Sequence, residues 1–470
     1  MALASLYELL RAVHGRRAFA RGFWFGAGLF AFGVPWVYLT LARFGGMPPV
    51  FAGLAWLVFV AILAAYVGLT ATVFTFLRRG SALDPWLFAA LWTWGEWVRG
   101  HFLTGFPWFD LGYAASLAPL VAWAPLAGVL GLSFLMAAAG ALTACALRGQ
   151  GRRLVPLVLI AAVTPAVATL HFVHRAGPPL TASLIQGDIS PRVKWDPRGR
   201  KTILRRYLDL TRRSAGRLVI WPETAVPAYS HELRRTFVPH LARLARLDHR
   251  HFLFGLIEGD PYTDGPVYNA VMSVGRQDGF YRKRHLVPFG EYLPWPAILN
   301  PVLEVLHIPM SSFTAWHGRE PALPAAGVGL GLSICYEIAY GALVTQALPD
   351  ATVLVNVSDD SWYGHSNESR QQLQIAQLRA AEAGRDMLIA TNDGITALIT
   401  RSGRIAARLA PFRPGVLTVV ALPYAGLTPY DRFGSWPVLS GCALLVAWAV
   451  GRRRPMRTER SEDPRTRACP

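Results

Sequence analysis

The 470-residue sequence predicts a multi-pass α-helical membrane bundle joined to a layered α/β domain. Residues 23–173 contain apolar segments rich in Leu, Ala, Val, Phe and Trp. These are long enough to cross a hydrocarbon core of about 30 Å, which needs about 20 helical residues. Residues 180–425 instead alternate short β-branched runs with polar, arginine-bearing stretches. We therefore expect a membrane bundle, an α/β domain, and a final span with a basic tail, over residues 1–178, 179–428 and 429–470.

The apolar segments predict six membrane spans, five before the α/β domain and one after it. Their bounds are 23–43, 50–77, 84–100, 118–147, 154–173 and 434–450. Arginines cluster at alternate ends of these spans, namely Arg16, Arg17, Arg21, Arg78, Arg79, Arg148, Arg152, Arg153, Arg452, Arg453 and Arg454. Because positive residues mark cytoplasmic ends, both termini are expected inside and the α/β domain outside. The first 22 residues lack the pattern of a cleavable signal peptide.

The formal net charge of +18 does not indicate a nucleic-acid partner. The arginines are spread along the chain, with many at predicted cytoplasmic membrane ends, where anionic lipids attract them. Only three lysines occur against 44 arginines, and these are Lys194, Lys201 and Lys283. A lysine in so arginine-rich a chain is therefore worth testing for a function.

The α/β domain is predicted from short apolar runs separated by helical patterns. The runs typical of strands lie at 182–186, 217–221, 251–257, 268–274, 328–334, 351–357 and 387–391. The helical patterns lie at 197–214, 232–247, 338–347 and 366–384. Short strands that are apolar on both faces and alternate with helices are typical of sheets covered by helices.

Three residues of this domain have side chains suited to acyl transfer. Glu223 follows the strand 217–221, and Lys283 lies in a loop rich in Pro, Gly and aromatic residues. Cys335 ends the strand 328–334, at a predicted strand-to-helix turn that would expose a nucleophile at the sheet edge. The remaining cysteines fall within predicted spans or on the tail, and they are Cys145, Cys442 and Cys469. Cys335 therefore has no disulfide partner within its domain.

These three residue types suit a reaction that passes through a thioester. An ionised thiol is a strong nucleophile, a carboxylate can accept its proton, and an ammonium stabilises both the thiolate and a tetrahedral oxyanion. Lysine supplies a compact charge and can exchange a proton, whereas arginine cannot. Taken singly, each residue also fits a structural role, as a surface glutamate, a solvated lysine or a buried core cysteine. On the residues alone these alternatives stay open.

The motifs that contain these residues resemble those of the nitrilase superfamily, in the same order. They are WPETAVP at 221–227, YRKRHLVPFGEY at 281–292 and ICYE at 334–337. With the membrane bundle before them, the chain resembles the apolipoprotein N-acyltransferases, the membrane-bound branch of that superfamily. The likeness extends over nearly the whole chain, through FGGMP at 44–48, LTGFPW at 103–108, QGDI at 186–189, VKWD at 193–196, NVSDDSWYG at 356–364, ATNDGITA at 390–397 and GLTPYDRFGSWP at 426–437.

The resemblance implies an αββα sandwich on the periplasmic side of a bacterial inner membrane and a ping-pong reaction. Cys335 would be the nucleophile, Glu223 the general base and Lys283 the ammonium that stabilises the oxyanion. A membrane phospholipid would donate a fatty acyl group to the thiol. The α-amine of the S-diacylglyceryl cysteine of an apolipoprotein would then accept it, and no metal or diffusible cofactor is implied.

Four further residues match positions that support catalysis in the resembled family. Glu291 would be a second active-site glutamate that orients Lys283, and Trp195 an essential loop tryptophan. Tyr336 and Glu337 match the two residues that follow the nucleophile. Each also fits a structural role: Glu291 in an ion pair, Trp195 as a loop anchor, Tyr336 in the core and Glu337 at a helix N-terminus.

Two other functions remain open at this point. One is a membrane-tethered nitrilase-type amidase or hydrolase, in which water resolves the thioester. The other is a transporter or receptor whose outer domain binds a ligand without chemistry.

Members of the resembled family usually begin with two further spans, so six spans instead of eight imply either a short form or a misplaced start site.

The end of the third span and the loop after it contain further polar and aromatic candidates. Glu96 and Arg99 lie three residues apart and are expected to pair on one helix face. The loop 101–117 is aromatic, with Phe102, Phe106, Trp108 and Phe109. It suits either an entry for acyl chains or an ordinary aromatic belt at the membrane surface.

Overall fold

The computed structural model describes residues 1–451 except 261, 264 and 298–311. The predicted basic tail lies outside the described residues, and so do Arg452, Arg453, Arg454 and Cys469. The described chain has a helical part and an α/β part, at the places where the apolar pattern of the sequence changes.

The helical part begins with seven α-helices formed by long apolar stretches. They are α1 (Ala2–Leu10), α2 (Arg16–Gly33), α3 (Trp36–Leu39), α4 (Pro49–Leu77), α5 (Asp84–His101), α6 (Ala124–Leu147) and α7 (Val155–Ala168). Proline occupies the first turn of α4, α5, α6 and α7, where its missing N–H is not needed. A π-helical segment at Thr40–Phe44 continues α3, and a 3₁₀ segment at Pro119–Trp123 leads into α6.

Several helices are long and apolar enough to cross a membrane, so the chain is a membrane protein. Among the described residues, three stretches meet this test by length and composition: Pro49–Leu77, Pro119–Leu147 and Gly151–Ala168. The segments Arg16–Gly33 and Trp36–Phe44 meet at a bend of 52° and make a fourth if they form one span. The predicted spans at 84–100 and 434–450 are also helical, but α5 carries three charged side chains and the last helix has only 16 residues. The count of six therefore stays a prediction.

Arginines gather at one end of this bundle. Arg78, after α4, bonds His14, before α2, at 3.1 Å. Arg153, before α7, donates to the main-chain oxygen of Ala82 at 2.8 Å, and Arg148, after α6, forms a salt bridge with α1. The connections α1–α2, α4–α5 and α6–α7 therefore lie together. Since α4 has 29 residues and a helix rises about 1.5 Å per residue, its first turn lies at the opposite end.

The α/β part contains two six-stranded sheets and one two-stranded ribbon. Its strands are β1 (Val173–Arg175), β2 (Leu180–Gln186), β3 (Leu218–Ile220), β4 (His251–Glu258), β5 (Tyr268–Val274), β6 (Gly279–Arg282), β7 (Leu323–Ala325), β8 (Val328–Ile334), β9 (Val353–Ser358), β10 (Met387–Thr391), β11 (Ala397–Ile399), β12 (Ile405–Arg408), β13 (Gly415–Ala421) and β14 (Tyr424–Gly426). One sheet has the order β13-β2-β3-β4-β5-β6, the other β12-β11-β10-β9-β8-β7, and β1 pairs with β14. The central strands β2, β3 and β4 are parallel, as are β8, β9 and β10.

Helices cover both outer faces of the paired sheets. They include α9 (Arg200–Arg212) and α10 (Ser230–Leu247) on one side and α11 (Gly341–Thr345) and α12 (Glu368–Ala383) on the other, with the short helix α8 (Pro191–Lys194) before α9. The last two helices, α13 (Pro429–Phe433) and α14 (Trp436–Gly451), pack instead against α6 and α5 of the bundle. Successive strand residues point to opposite faces, so Leu184 joins the core between the sheets whereas Ile185 joins the core under α9 and α10. The result is the αββα sandwich that the resemblance implies.

All seven predicted strands and the four predicted helical regions of this domain are present, within a few residues of the expected bounds. The sequence pattern missed the four strands at the edges of the two large sheets, the interior strand β11 and both strands of the ribbon. One of them, β7, has three residues and includes Pro324. Proline is tolerated in edge strands because no ladder partner needs its N–H.

The α/β domain packs on the bundle through α12. The Gln371 amide accepts hydrogen bonds from the indoles of Trp36 at 3.1 Å and Trp108 at 2.8 Å, and it donates to the main-chain oxygen of Gly33 at 2.8 Å. On the same helix, the Glu382 carboxylate accepts from the backbone N–H of Val129 in α6 at 2.7 Å. Residues of α2, α3 and α6 therefore hold the domain at the end of the bundle away from the arginines.

The expected pairing of Glu96 with Arg99 was wrong. Arg99 instead forms a buried ion pair with Asp110 at 2.6 Å, in the loop that follows α5. Glu96 accepts from the indole of Trp92 and the backbone N–H of Leu111, each at 2.8 Å. The chain turns back after α5, and this brings a carboxylate eleven residues away closer than the one on the same helix.

Candidate active site

The three central candidate residues lie beyond the carboxyl ends of strands from both sheets. Glu223 comes shortly after β3, Lys283 directly follows β6 and Cys335 directly follows β8. The carboxyl ends of parallel strands are where functional side chains can converge in α/β folds. The charges of Glu223 and Lys283 both act on the pKa of Cys335, so the structure brings the three together.

Glu223 and Lys283 form the buried centre of the site, together with Glu291. The Lys283 ammonium donates to Glu223 Oε1 at 3.1 Å and to Glu291 Oε1 at 2.9 Å. The amide of Asn269 donates to the same two oxygens, at 2.6 and 2.7 Å. Glu223 Oε2 accepts from the backbone N–H of Asp359 at 2.9 Å. Donors therefore fix both oxygens of Glu223, and Glu291 accepts a hydrogen bond from the same lysine.

The register of neighbouring strands explains why Asn269 and Lys283 meet. Strands β5 and β6 are antiparallel, with Ala270 opposite Arg282, and the backbone N–H of Lys283 donates to the oxygen of Asn269 at 2.8 Å. The two side chains thus leave adjacent strands on the same face.

The two carboxylates keep the Lys283 side chain charged inside the protein. Lys283 is 1% exposed, and burial by itself would lower its pKa. Glu223 and Glu291 outweigh that effect and raise the pKa above its ordinary value. An ammonium held in this way, at low dielectric, can stabilise negative charge that develops nearby during a reaction.

Cys335 occupies a turn whose backbone is constrained. Its φ is +50°, in the left-handed region that is unfavourable for a residue with a Cβ, and it begins a 3₁₀ segment, Cys335–Ala339. Burial and the charge of Glu223 raise the pKa of the thiol, whereas the charge of Lys283 acts to lower it. Because the net pKa is well above its ordinary value, the thiol is protonated at neutral pH and needs a base to react.

Glu337 connects the nucleophile turn to the loop that carries Lys283. It is fully buried, and its Oε2 accepts from the backbone N–H of Ile334 at 2.7 Å and from the hydroxyl of Tyr281 at 2.8 Å. Its Oε1 accepts from the backbone N–H groups of Arg284 at 2.6 Å and His285 at 3.2 Å. Glu337 therefore holds the Lys283 and Cys335 segments together.

Replacing Glu337 with glutamine is expected to lower the free energy of unfolding by about 2–4 kcal/mol, because the amide nitrogen would face N–H donors in either orientation. Thermal unfolding of the purified protein in detergent measures this effect. Glu232→Gln is the matched control, since its salt bridge with Arg200 lies at the surface, 35% exposed, and is worth about 1 kcal/mol or less. Equal thermal midpoints for Glu337→Gln and Glu232→Gln would show that Glu337 does not hold the two segments together.

Tyr336 points towards the membrane part of the protein. Its hydroxyl donates to the main-chain oxygen of Gly105 at 3.2 Å, and its ring stacks on Trp108 with centroids 5.9 Å apart. Tyr340 reaches the same loop at Gly105. The loop 101–117 therefore contacts the two tyrosines that follow Cys335. Trp108 is 2% exposed, so it packs in the interior and is not part of an aromatic belt.

Trp195 lies at the edge of the site, 44% exposed, in the turn after α8. Its backbone N–H donates to the oxygen of Pro191 at 3.2 Å. The residue before it, Lys194, reaches the main-chain oxygen of Glu223 at 3.1 Å. The backbone next to Trp195 is therefore anchored in the site, whereas its indole remains available at the surface.

Sequence reasoning missed several polar residues that complete this site. Asn269 was hidden in the strand 268–274, where an amide in an otherwise apolar run was the available signal. Ser358 and Asp360 were quoted within NVSDDSWYG without a role. The Ser358 hydroxyl donates to Asp360 Oδ1 at 2.5 Å and accepts from Gln372 at 3.1 Å.

Asp360 is a buried carboxyl group that titrates close to neutral pH. Burial raises its pKa to about 7, and the charges of Asp359 and Glu223 also raise it. Its second oxygen has no hydrogen-bond partner among the described residues. A Cβ at position 394 would collide with that oxygen, so Gly394 leaves the room that Asp360 occupies.

We expect Asp360→Asn to flatten the fall of thermal stability between about pH 4 and about pH 7. The folded protein keeps the proton on Asp360 up to about pH 7, whereas an unfolded aspartate loses it near pH 4. Stability therefore falls across this window by up to about 1.4 kcal/mol per pH unit and levels off above it. Asp209→Asn, at a side chain 57% exposed on α9, should keep the wild-type slope, and an unchanged slope in Asp360→Asn would contradict the assignment.

The αββα sandwich and its buried Glu–Lys–Cys arrangement define a nitrilase-like protein. In agreement, residues 181–430 match the family model described as carbon-nitrogen hydrolase. Residues 1–142 match a second model, the apolipoprotein N-acyltransferase N-terminal domain. The chain belongs to the apolipoprotein N-acyltransferase family, and this confirms the resemblance seen in its motifs.

Similar proteins cover most of the chain. An apolipoprotein N-acyltransferase of Nitrosomonas europaea is 39% identical over 90% of this chain and 86% of its own length. One of Methylococcus capsulatus is 38% identical over 97% of this chain and 91% of its own length. Among solved structures, the C. elegans NitFhit protein aligns with 56% of this chain and 65% of its own, at 16% identity and a TM-score of 0.41.

Proposed function

We propose that this protein transfers a fatty acyl group from a membrane phospholipid, through a thioester on Cys335, to the α-amine of the S-diacylglyceryl cysteine of an apolipoprotein. The observation that carries the proposal is the buried contact of Lys283 with Glu223 and Glu291 at 3.1 and 2.9 Å, next to a thiol that needs a base. The names of the relatives supply the acceptor class, since they are apolipoprotein N-acyltransferases.

In the first half of the proposed reaction, Glu223 accepts the thiol proton and the Cys335 sulfur attacks the ester carbonyl of the phospholipid. A carbon–sulfur bond forms, and the negative charge on the former carbonyl oxygen is stabilised by the Lys283 ammonium. Collapse of this intermediate breaks the ester carbon–oxygen bond. The departing oxygen takes the proton from Glu223 and leaves as the hydroxyl of a lysophospholipid.

In the second half, the neutral α-amine of the acceptor attacks the thioester carbonyl. A carbon–nitrogen bond forms while Glu223 accepts a proton from the nitrogen. The carbon–sulfur bond then breaks, and the sulfur recovers the proton, which restores the thiol. Glu223, Lys283 and Cys335 act in both halves, and Glu291 keeps Lys283 in place.

The contact between the bundle and the site supports lipid substrates. Tyr336, which follows the nucleophile, touches the loop 101–117 at Gly105 and Trp108. In the same loop Phe102 is 60% exposed and Leu103 is 48% exposed. Both substrates keep acyl chains in the bilayer, so we propose that they approach the thiol past this loop.

The distribution of arginines supports a placement of the domain outside the cytoplasm. Arg78, Arg148 and Arg153 lie at the bundle end away from the α/β domain, and basic ends face the cytoplasm. We therefore propose an inner-membrane protein with a periplasmic domain, cytoplasmic termini and part boundaries near 178 and 428. To test this placement, a cysteine is added in the loop 148–154 and exposed to a membrane-impermeant maleimide. We expect the maleimide to label it only after the inner membrane is opened.

The function is tested by incubating the purified protein with phosphatidylethanolamine vesicles and a diacylated lipopeptide. We expect an acyl adduct on Cys335 in the absence of the peptide and triacylated peptide in its presence, both read by mass spectrometry. Free fatty acid without N-acylated peptide would favour the hydrolase alternative. No adduct on Cys335 under either condition would favour a binding protein.

A further inference from the structure

Lys194 is a buried lysine that the reaction described above does not use. It ends α8, is 3% exposed and directly precedes Trp195. Its ammonium donates to the main-chain oxygen of Glu223 at 3.1 Å and forms an ion pair with Asp359. One of only three lysines in the chain therefore forms a hydrogen bond with the residue that we assign as the general base.

Asp359, the ion-pair partner of Lys194, also contacts Glu223 directly. Its backbone N–H donates to Glu223 Oε2 at 2.9 Å. Its side-chain Oδ1 accepts from Ser361 Oγ at 2.7 Å and from Asn392 Nδ2 at 2.9 Å, so the carboxylate cannot turn freely. Glu223 is thus held at its main-chain oxygen by Lys194 and at its carboxylate by Asp359, in a closed ring of contacts.

Asn392 fixes the start of the segment that carries Lys194. Its amide nitrogen donates to the oxygen of Ile189 at 2.7 Å, and its amide oxygen accepts from the N–H of Ile189 at 3.1 Å. The segment from Ile189 to Trp195 is therefore tied to the site at both ends. The motifs QGDI, VKWD, NVSDDSWYG and ATNDGITA, which the predicted triad left without a role, meet in this ring.

We propose that Lys194 is a positioning residue that acts through Asp359 to orient the Glu223 carboxylate for proton transfer, and that it anchors the turn of Trp195 against the site. This rests on the proposed function, because it takes Glu223 as the base. A lysine suits the position, since a compact ammonium bonds two oxygens that come from different elements, whereas the planar fork of arginine matches one carboxylate.

The charge of Lys194 also compensates that of Asp359. Without it, a buried carboxylate would be left unpaired beside Glu223, and removing one partner of a buried ion pair destabilises a protein strongly. The positioning role must therefore be separated from simple charge balance. The pair Lys194→Met/Asp359→Asn does this, because it removes both charges, loses the Lys194 contact with Glu223 and keeps the backbone N–H of residue 359.

The experiment uses the full-length protein in detergent with phosphatidylethanolamine. It measures the thermal midpoint, the single-turnover rate of Cys335 acylation at several lipid concentrations, and the rate of Cys335 alkylation by iodoacetamide. We expect Lys194→Met to lower the midpoint and the double variant to regain it. Both should acylate about 10- to 100-fold more slowly at saturating lipid, with the half-saturating lipid concentration unchanged. Alkylation should slow in parallel, since it needs the same base.

Lys201→Met is the matched control, because Lys201 is exposed on α9 in the same segment, and it should keep the wild-type rates and midpoint. Trp195→Ala should instead raise the half-saturating lipid concentration. If the double variant is stable and acylates at the wild-type rate, Lys194 serves only to balance the charge of Asp359, and the proposal is overturned. If the wild-type protein takes no acyl group from the lipid, the proposed function fails, and the alkylation rates still decide whether Lys194 positions Glu223.

Discussion

Replacing Cys335 with alanine should abolish both the acyl-enzyme adduct and the N-acylated product, with a loss of about 10⁴-fold or more. The side chain supplies the only thiol in the described part of the α/β domain, and neither half of the proposed reaction can proceed without the thioester. The measurement is mass spectrometry of the protein and of a diacylated lipopeptide after incubation with phospholipid vesicles.

Cys335→Ser separates the nucleophile from the shape of the turn. The hydroxyl is nearly the same size but is a much weaker nucleophile, so its rate should stay close to that of the alanine variant. Cys442→Ala is the matched control, because this cysteine is buried in α14, outside the α/β domain, and should leave the rate unchanged. Product formation by Cys335→Ser at the wild-type rate would rule out a thioester route.

The central strands of the fold were predictable because each depends on its own apolar run. In β8 and β9, Leu332 and Val355 are buried between layers whichever partner strand lies beside them. The edge strands were not predictable in the same way. Strand β7 has three residues, and its place follows from the pairing of Leu323 with Leu330 across a tight turn. Its conformation is set by the partner strand more than by its own composition.

The positions of the three central site residues were predicted, but most of their partners were not. Glu223 contacts Asn269 across 46 positions of sequence and Asp359 across 136, and Lys194 meets Asp359 across 165. No local pattern encodes such distances, because the three-dimensional meeting of β3, β5 and β9 creates them. The same limit explains why Arg99 pairs with Asp110 instead of with its helical neighbour Glu96.

Glu223→Gln is expected to slow the acylation of Cys335 by about 10²- to 10⁴-fold at neutral pH. An amide cannot accept the thiol proton. It also fits the site poorly, since Asn269 and Lys283 donate to one oxygen of Glu223 and the backbone N–H of Asp359 donates to the other. An amide nitrogen would therefore face a donor in either orientation. Single-turnover formation of the adduct with phosphatidylethanolamine measures the effect.

The pH dependence of the remaining rate identifies what the glutamate does. Burial keeps the pKa of Cys335 above its ordinary value, so without a base the reaction must use the small fraction of thiolate. The rate of Glu223→Gln should then rise about tenfold per pH unit below the pKa of the thiol. The charge of Glu223 itself raises the pKa of Cys335, and its removal makes the thiolate more abundant. A slower variant therefore cannot be explained by a loss of thiolate.

Glu232→Gln, at the surface of α10, is the control for this experiment and should acylate at the wild-type rate. Acylation by Glu223→Gln at the wild-type rate would mean that another group takes the thiol proton.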